Sequence, residues 1–69
     1  MRYVLQNQKD PSDYAVLQIK SLTTLEDIEM EVATTDDFNG ATVFSELTLS
    51  CYTEIVKGIT NEDWNGLML

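Results

Sequence analysis

The segment at residues 25–32, LEDIEMEV, constrains the fold most, because its residue types and its spacing predict different secondary structures. It is rich in good helix formers, and a capping box precedes it. On a helix, however, Glu29 would fall inside the apolar stripe. On a strand, Ile28, Met30 and Val32 share one face and the acidic residues take the other. The alternation therefore predicts a strand.

The dipeptide Asn39-Gly40 predicts how this strand is paired, since both residues tolerate the positive φ that a type I′ hairpin turn requires. Folding the chain there sets Val32 opposite Leu47, and the next alternate pairs, out to Cys51, are apolar on both strands. A slip of one residue would set each apolar side chain against a polar one. The pattern therefore predicts a specific register.

Two further strands are predicted before residue 25, where RYVLQNQ and YAVLQIK flank the turn KDPSD. Pairing Leu5 with Leu17, and Leu17 with Met30, keeps the apolar side chains of all four strands on one face. The predicted core face consists of Tyr3, Leu5, Ala15, Leu17, Ile19, Ile28, Met30, Val32, Leu47, Leu49 and Cys51.

The sequence thus predicts a single α+β domain over residues 1–69, a four-stranded antiparallel meander with one face covered by a short C-terminal helical segment. Within that segment, TEIVKGI, the helix is expected to end at Lys57, with Gly58 after the cap. A further helical turn is expected near Trp64. A ββαα arrangement stays open, because residues 46–57 also fit a helix with one polar arc. Their Thr, Ser, Cys and Tyr content favours a strand.

The net charge of −8 is unevenly distributed along the chain. No basic residue lies between Lys20 and Lys57, whereas eight acidic residues do. Such a field repels nucleic acid and anionic membranes, so neither is an expected partner. Alternate residues of a strand lie about 6.7 Å apart, roughly twice the axial spacing of phosphates along one DNA strand. A row of carboxylates on one strand face could therefore imitate a phosphate track.

The predicted partner-binding surface combines this acidic block with two aromatic residues that suit an interface. Its members are Glu26, Asp27, Glu29, Glu31, Asp36, Asp37, Glu46, Tyr52 and Trp64. Simple solvation accounts for any one of these acids, and packing at the end of a small core is the more common role for a tryptophan such as Trp64. The binding role is inferred from the complete lack of basic residues in the block.

Several chemistries lack the residues that they need. With no histidine and one cysteine, an ordinary zinc site cannot be assembled within one chain. There is no Gly-rich phosphate loop, and few groups could activate a nucleophile, so we expect neither an enzyme nor a cofactor. The lone cysteine excludes an internal disulfide and fits a reducing compartment, and the chain opens without an apolar leader. Together these features predict a cytoplasmic location.

One segment carries a partial metal-binding pattern. Residues 35–46, TDDFNGATVFSE, resemble an EF-hand calcium loop, with Asp37, Asn39, Gly40 and Glu46 at the third, fifth, sixth and twelfth positions. Thr35 stands where the loop needs its first acidic ligand, which weakens the pattern. A calcium-binding module is therefore a minor alternative.

In size, acidity and lack of catalytic groups the chain resembles the small phage-encoded proteins that inhibit host enzymes. This resemblance implies a non-enzymatic inhibitor or decoy, often dimeric, that binds the basic nucleic-acid-binding surface of a host protein by charge mimicry. A defence nuclease, a CRISPR effector, or a DNA-repair or transcription enzyme would be the target. The alternative is a small structural or assembly subunit that forms a homo-oligomer through a sheet edge and the segment at residues 64–69.

Overall fold

The computed structural model describes the backbone of residues 1–22 and 28–69, and the side chains of residues 1–18 and 30–69. The described elements are β1 (Arg2–Asn7), β2 (Tyr14–Leu22), β3 (Ile28–Thr35), a 3₁₀ turn (Phe38–Gly40), β4 (Phe44–Ser45), α1 (Glu46–Thr60) and β5 (Trp64–Met68). The protein is a small α+β domain in which an antiparallel sheet packs against one C-terminal helix, which confirms the predicted fold class.

Strand β1 is the centre of the sheet. Tyr3 pairs with Met68 of β5 and with Phe44 of β4, so β5 and β4 lie on opposite edges of β1. At its other end, Gln6 pairs with Asn65 of β5 and with Tyr14 of β2. Strands β2 and β4 therefore share one edge of β1, and β5 occupies the whole of the other.

The pairing of β1 with β2 is shorter than predicted and shifted by two residues. It consists of Gln6 opposite Tyr14, instead of Leu5 opposite Leu17. Beyond this pair, the backbone N–H of Thr42 donates to the carbonyl of Ala15, and residues 42–45 fill the space between the two strands. Residues 42–45 thus occupy the positions beside β1 that β2 was predicted to fill, and the predicted register of β1 with β2 was wrong.

The hairpin of β2 and β3 confirms the predicted strands and also shifts by two residues. Leu17 pairs with Val32 instead of Met30, and an irregularity lies between Ile19 and Ser21. A shift of two leaves each side chain on its original face. Leu17 and Val32 accordingly pack against the core, as predicted.

The core lies between the sheet and α1. It consists of Leu5, Ala15, Phe44, Val56 and Trp64, with Leu17, Val32, Leu49 and Tyr52 packed against it. Val4, on the other face of β1, is also fully buried. The middle of β1 is thus inaccessible from both sides.

Residues 46–60 form a helix, so the strand predicted after Asn39-Gly40 and its register were wrong. Leu49, Tyr52 and Val56 recur at helical spacing and meet the sheet, whereas Leu47 and Cys51 are exposed instead of lying in the core. Thr53 and Thr60 are accommodated in the helix, with their hydroxyls donating to the carbonyls of Leu49 and Val56, one turn back.

The dipeptide itself forms a 3₁₀ turn. The Asp37 carboxylate accepts the Asn39 N–H at 3.0 Å, and neither Asn39 nor Gly40 has a positive φ. A type I′ turn would need a positive φ at both residues, so the capping carboxylate favours a different geometry.

The end of the helix also differs from the prediction. It runs past Gly58 to Thr60, and Asn61 then adopts the left-handed conformation with φ 58° and donates its N–H to the carbonyl of Lys57. Asparagine is one of the few residues that tolerate this conformation. It turns the chain so that Trp64–Met68 becomes a strand beside β1 instead of a helical turn.

Candidate functional site

The structure tests the geometry of only part of the predicted acidic surface. Glu26 and Asp27 lie outside the described residues, and Glu29 is described only as a backbone position of β3 that pairs with Ser21. Glu31 is exposed and lies opposite Gln18. Because neighbouring residues of a strand face opposite ways and Val32 packs on the core, Glu31 points away from the helix.

The remaining predicted acids do not share one ribbon face. Asp36 and Asp37 are exposed in the loop after β3. Glu46 opens α1 next to Ser45, which pairs with Arg2 at the opposite end of β1. The single acidic ribbon was wrong because it required residues 46–52 to be a strand.

The two aromatic members of the predicted surface belong to the core side of the molecule. Trp64 is only 5% exposed, and its Nε1 donates to Thr60 Oγ1 at 2.9 Å. Tyr52 is half-buried on α1, with its ring centroid 5.2 Å from that of Phe44. Trp64 therefore presents almost no surface to a partner, whereas Tyr52 is packed against the core and stays partly exposed.

A different set of acids meets at one end of the sheet, which we term the acidic end. It is built from the loop between β1 and β2, the loop after β3, and the loop between α1 and β5. Its acidic residues are Asp10, Asp13, Asp36, Asp37, Glu62 and Asp63. All are exposed except Asp13, which is half-buried.

Backbone pairing brings the three loops to the same end. Asp13 precedes Tyr14 and Asp36 follows Thr35, and Tyr14 and Thr35 are directly paired across antiparallel strands. The Tyr14 ring also makes an edge contact with Phe38, with centroids 5.8 Å apart. On the other edge of β1, the N–H of Gln8 donates to the carbonyl of Asp63 at 3.0 Å.

Asn7 connects two of these loops. It is the one buried polar residue recorded in the described chain, at 4% exposure. Its Oδ1 accepts the backbone N–H groups of Lys9 and Asp10 at 2.8 and 3.2 Å, and its Nδ2 donates to the Glu62 carboxylate at 3.3 Å. A buried amide with its hydrogen bonds satisfied orders the loops around it.

Few cations neutralise the acidic end. Within the described residues, the one ion pair joins Lys57 and Asp63 at 3.3 Å, and both side chains are more than half exposed. Lys57 belongs to α1, and Lys9 is the basic residue within the loops themselves. The hydroxyl and the N–H of Ser12 donate to the Asp10 carboxylate, which lowers the pKa of Asp10 below its ordinary value of 3.8. Asp10 is therefore charged at neutral pH.

Sequence reasoning missed four members of the acidic end: Asp10, Asp13, Glu62 and Asp63. The turn KDPSD carries their signal, since it places two acids between two predicted strands, whereas NED falls in the helical turn predicted near Trp64 and forms the loop between α1 and β5 instead. What was missing was the pairing of β1 with β5, which brings residues 55 positions apart within hydrogen-bonding distance.

The described residues contain no group of three or more ligand side chains that could hold a metal ion. In the candidate calcium loop, the Asp37 carboxylate accepts the Asn39 N–H, and Glu46 belongs to α1. Within the same described part of the chain, no helix has both the length and the apolarity to cross a membrane.

The protein is a small acidic α+β domain, and six of its twelve acidic residues belong to the three loops at one end of the sheet. Comparison with protein-family models, curated proteins and solved structures finds no match.

Proposed function

We propose that the chain is a non-enzymatic inhibitor that binds the basic, nucleic-acid-binding surface of another protein and occupies it in place of nucleic acid. The observation that carries this proposal is the acidic end, six acidic residues on three loops accompanied by Lys9 and Lys57. A groove lined with Lys and Arg would meet complementary charge there. A nuclease, a DNA-repair enzyme, a transcription enzyme or a CRISPR effector offers such a groove, in the cytoplasm or, for a phage-encoded chain, in the host cytoplasm.

The order of these loops supports a binding role, because ordering flexible groups on association costs free energy. The Asn7 amide holds the first and third loops, and the Asp37 carboxylate caps the 3₁₀ turn in the second. Carboxylates on loops that are already ordered can meet a groove at a lower entropic cost. Association driven by exposed charge is also fast and weakened by salt.

Asp36 and Asp37 are the members that test the proposal most cleanly. They belong both to the surface predicted from the sequence and to the acidic end, and both are exposed. The double variant Asp36→Asn/Asp37→Asn removes two charges, and an asparagine at position 37 can still accept the N–H that caps the turn. The matched control is Glu46→Gln/Glu54→Gln, which removes two charges from the exposed surface of α1.

The experiment is capture from a bacterial lysate on the immobilised chain, with elution by a salt gradient and identification by mass. The wild-type chain and the helix variant should retain the same nucleic-acid-binding protein, eluting at moderate salt. The Asp36→Asn/Asp37→Asn variant should bind that protein about tenfold more weakly, since exposed ion pairs contribute about 0.2–1 kcal/mol each. Equal loss in both variants, or retention that salt does not weaken, would refute recognition through the acidic end.

A further inference from the structure

The outer edge of β5 presents unpaired backbone groups. The N–H of Gln8 donates to the carbonyl of Asp63, and the N–H of Leu69 donates to that of Arg2, so the odd-numbered residues of this segment direct their backbone groups towards β1. The even-numbered residues Trp64, Gly66 and Met68 therefore direct theirs outward. In the described part of the chain, β1 is the only strand that pairs with β5.

This edge lacks the features that usually protect a sheet from pairing with another chain. Residues 64–69, WNGLML, contain no charged residue and no proline, and their register with β1 is regular. The opposite outer strand, β3, carries Glu29 and Glu31 at alternate positions, and its register with β2 is irregular. Charges and irregularities of this kind are what keep exposed edges apart.

Apolar side chains border the same edge. Met68 is 56% exposed and Leu69 is 49% exposed. Leu49 of α1 is half-buried over Gly66, so close that a Cβ at position 66 would lie 2.8 Å from its Cδ2. A strand added alongside β5 would cover these side chains as well as the backbone groups.

We infer that a second copy of the chain occupies this edge, with the two β5 strands antiparallel about a two-fold axis at Gly66. In that register Gly66 faces Gly66 of the other copy, and Trp64 faces Met68. The outward N–H and carbonyl groups of Trp64, Gly66 and Met68 then all gain partners, because the three residues are evenly spaced about the two-fold axis at Gly66. The inference is independent of the proposed function, since it uses none of the residues of the acidic end as contacts.

Charge explains why the pairing is antiparallel and why the partner can be an identical chain. Each copy carries a net charge of −8, so two copies can associate only where acids are absent or neutralised. No side chain of the edge is charged, and Asp63, the acid next to it in sequence, is paired with Lys57. Antiparallel pairing also places the two acidic ends at opposite ends of the joined strands. A 69-residue domain has a small core, and covering more apolar surface would stabilise it.

The test is sedimentation equilibrium of the wild-type chain and two matched variants. Met68→Lys places a charge on the β5 edge, and Leu47→Lys makes the same kind of change at a leucine that is 94% exposed on α1. We expect the wild type and Leu47→Lys to sediment at twice the chain mass of 7.8 kDa. Met68→Lys should sediment as a folded monomer, with association weakened by about tenfold or more.

Amide hydrogen exchange of the wild-type chain gives a readout that needs no variant. The N–H groups of Gly66 and Met68 should become protected as the protein concentration rises, whereas that of Leu67, bonded to β1, should be protected throughout. A wild-type monomer at millimolar concentration, a dimer lost in Leu47→Lys but kept in Met68→Lys, or a dimer with an unprotected Gly66 amide would each overturn the inference.

Discussion

The acidic end and the outer edge of β5 adjoin each other at residues 63 and 64, yet they are opposite in character. The acidic end holds six acidic residues on three loops, and the β5 edge has no charged side chain over residues 64–69. The acidic end suits a basic partner, which it would bind best in low salt. The β5 edge suits backbone pairing, which salt does not weaken. A very small domain can therefore carry two separate binding surfaces, provided that one of them has no charged side chains.

Both surfaces depend on β1. Its pairing with β5 creates the edge, and its last residue, Asn7, holds two loops of the acidic end. Truncating the buried Leu5 of β1 should therefore affect both surfaces. A substitution at Asn7 should affect the acidic end alone, and a substitution on the β5 edge should affect that edge alone.

The largest effect is expected for Leu5→Ala, which empties the centre of the core. Leu5 is fully buried, so its truncation should lower the free energy of unfolding by about 3 kcal/mol through lost burial and a residual cavity. Urea denaturation measures this, and both surfaces should be lost together. The same substitution at Leu47, which is 94% exposed, should change stability by less than about 0.5 kcal/mol. Similar losses at the two sites would contradict the assignment of the core.

Asn7→Ala should separate the two surfaces. It leaves the N–H groups of Lys9 and Asp10 without their acceptor, at a cost of about 2 kcal/mol. Backbone relaxation measured by NMR should show greater motion in residues 8–13 and 61–63, with the β1–β5 pairing intact. Asn39→Ala, at an exposed site, is the control. A rigid acidic end in Asn7→Ala would show that the amide does not order these loops.

Trp64→Phe should weaken the attachment of β5 to the helix by a smaller amount. It keeps most of the buried ring but removes the hydrogen bond from Nε1 to Thr60 Oγ1, which is worth about 1 kcal/mol. Thermal or urea unfolding measures the loss. Thr60→Val, which removes the acceptor hydroxyl and keeps the tryptophan ring, is the comparison, and the double variant should lose less stability than the sum of the two single losses. Unchanged stability in Trp64→Phe would show that the bond contributes nothing.

The smallest effect concerns protonation at the acidic end. The Ser12 hydrogen bonds lower the pKa of Asp10 in the folded state, so their contribution to stability is present above pH 3.8 and is lost as the pH falls through the lowered pKa. NMR titration of the Asp10 carboxyl should give a midpoint below 3.8. The substitution Ser12→Ala should raise it, because the hydroxyl donor is removed. Identical midpoints in the two proteins would exclude the hydroxyl as a cause.

The alternation of apolar residues predicted the faces of β1, β2 and β3 but not their registers. Leu17 and Val32 both reach the core, as predicted, although each pairing is shifted by two residues. A period of two cannot distinguish registers that differ by two, because both keep each side chain on the same face. Thr42, from a distant part of the chain, donates its N–H to the carbonyl of Ala15 in β2, a contact that the alternation of apolar residues does not predict.

The second half of the chain was less predictable because residues 46–57 carry two apolar periods at once. Leu47, Leu49 and Cys51 alternate as on a strand, whereas Leu49, Tyr52 and Val56 recur as on a helix. The segment WNGLML shows no clear period and becomes a strand through its pairing with β1. The acidic end was unpredictable for the same reason, since its three loops meet only after these elements have packed.

The most direct test of the proposed function uses the protein captured from the lysate, bound to fluorescently labelled duplex DNA. Fluorescence anisotropy would follow the release of the DNA as the acidic chain is added. We predict complete release by the wild-type chain, with about tenfold more of the Asp36→Asn/Asp37→Asn variant needed for the same effect. A ternary complex, in which the captured protein holds the DNA and the chain at the same time, would contradict occupation of the nucleic-acid site.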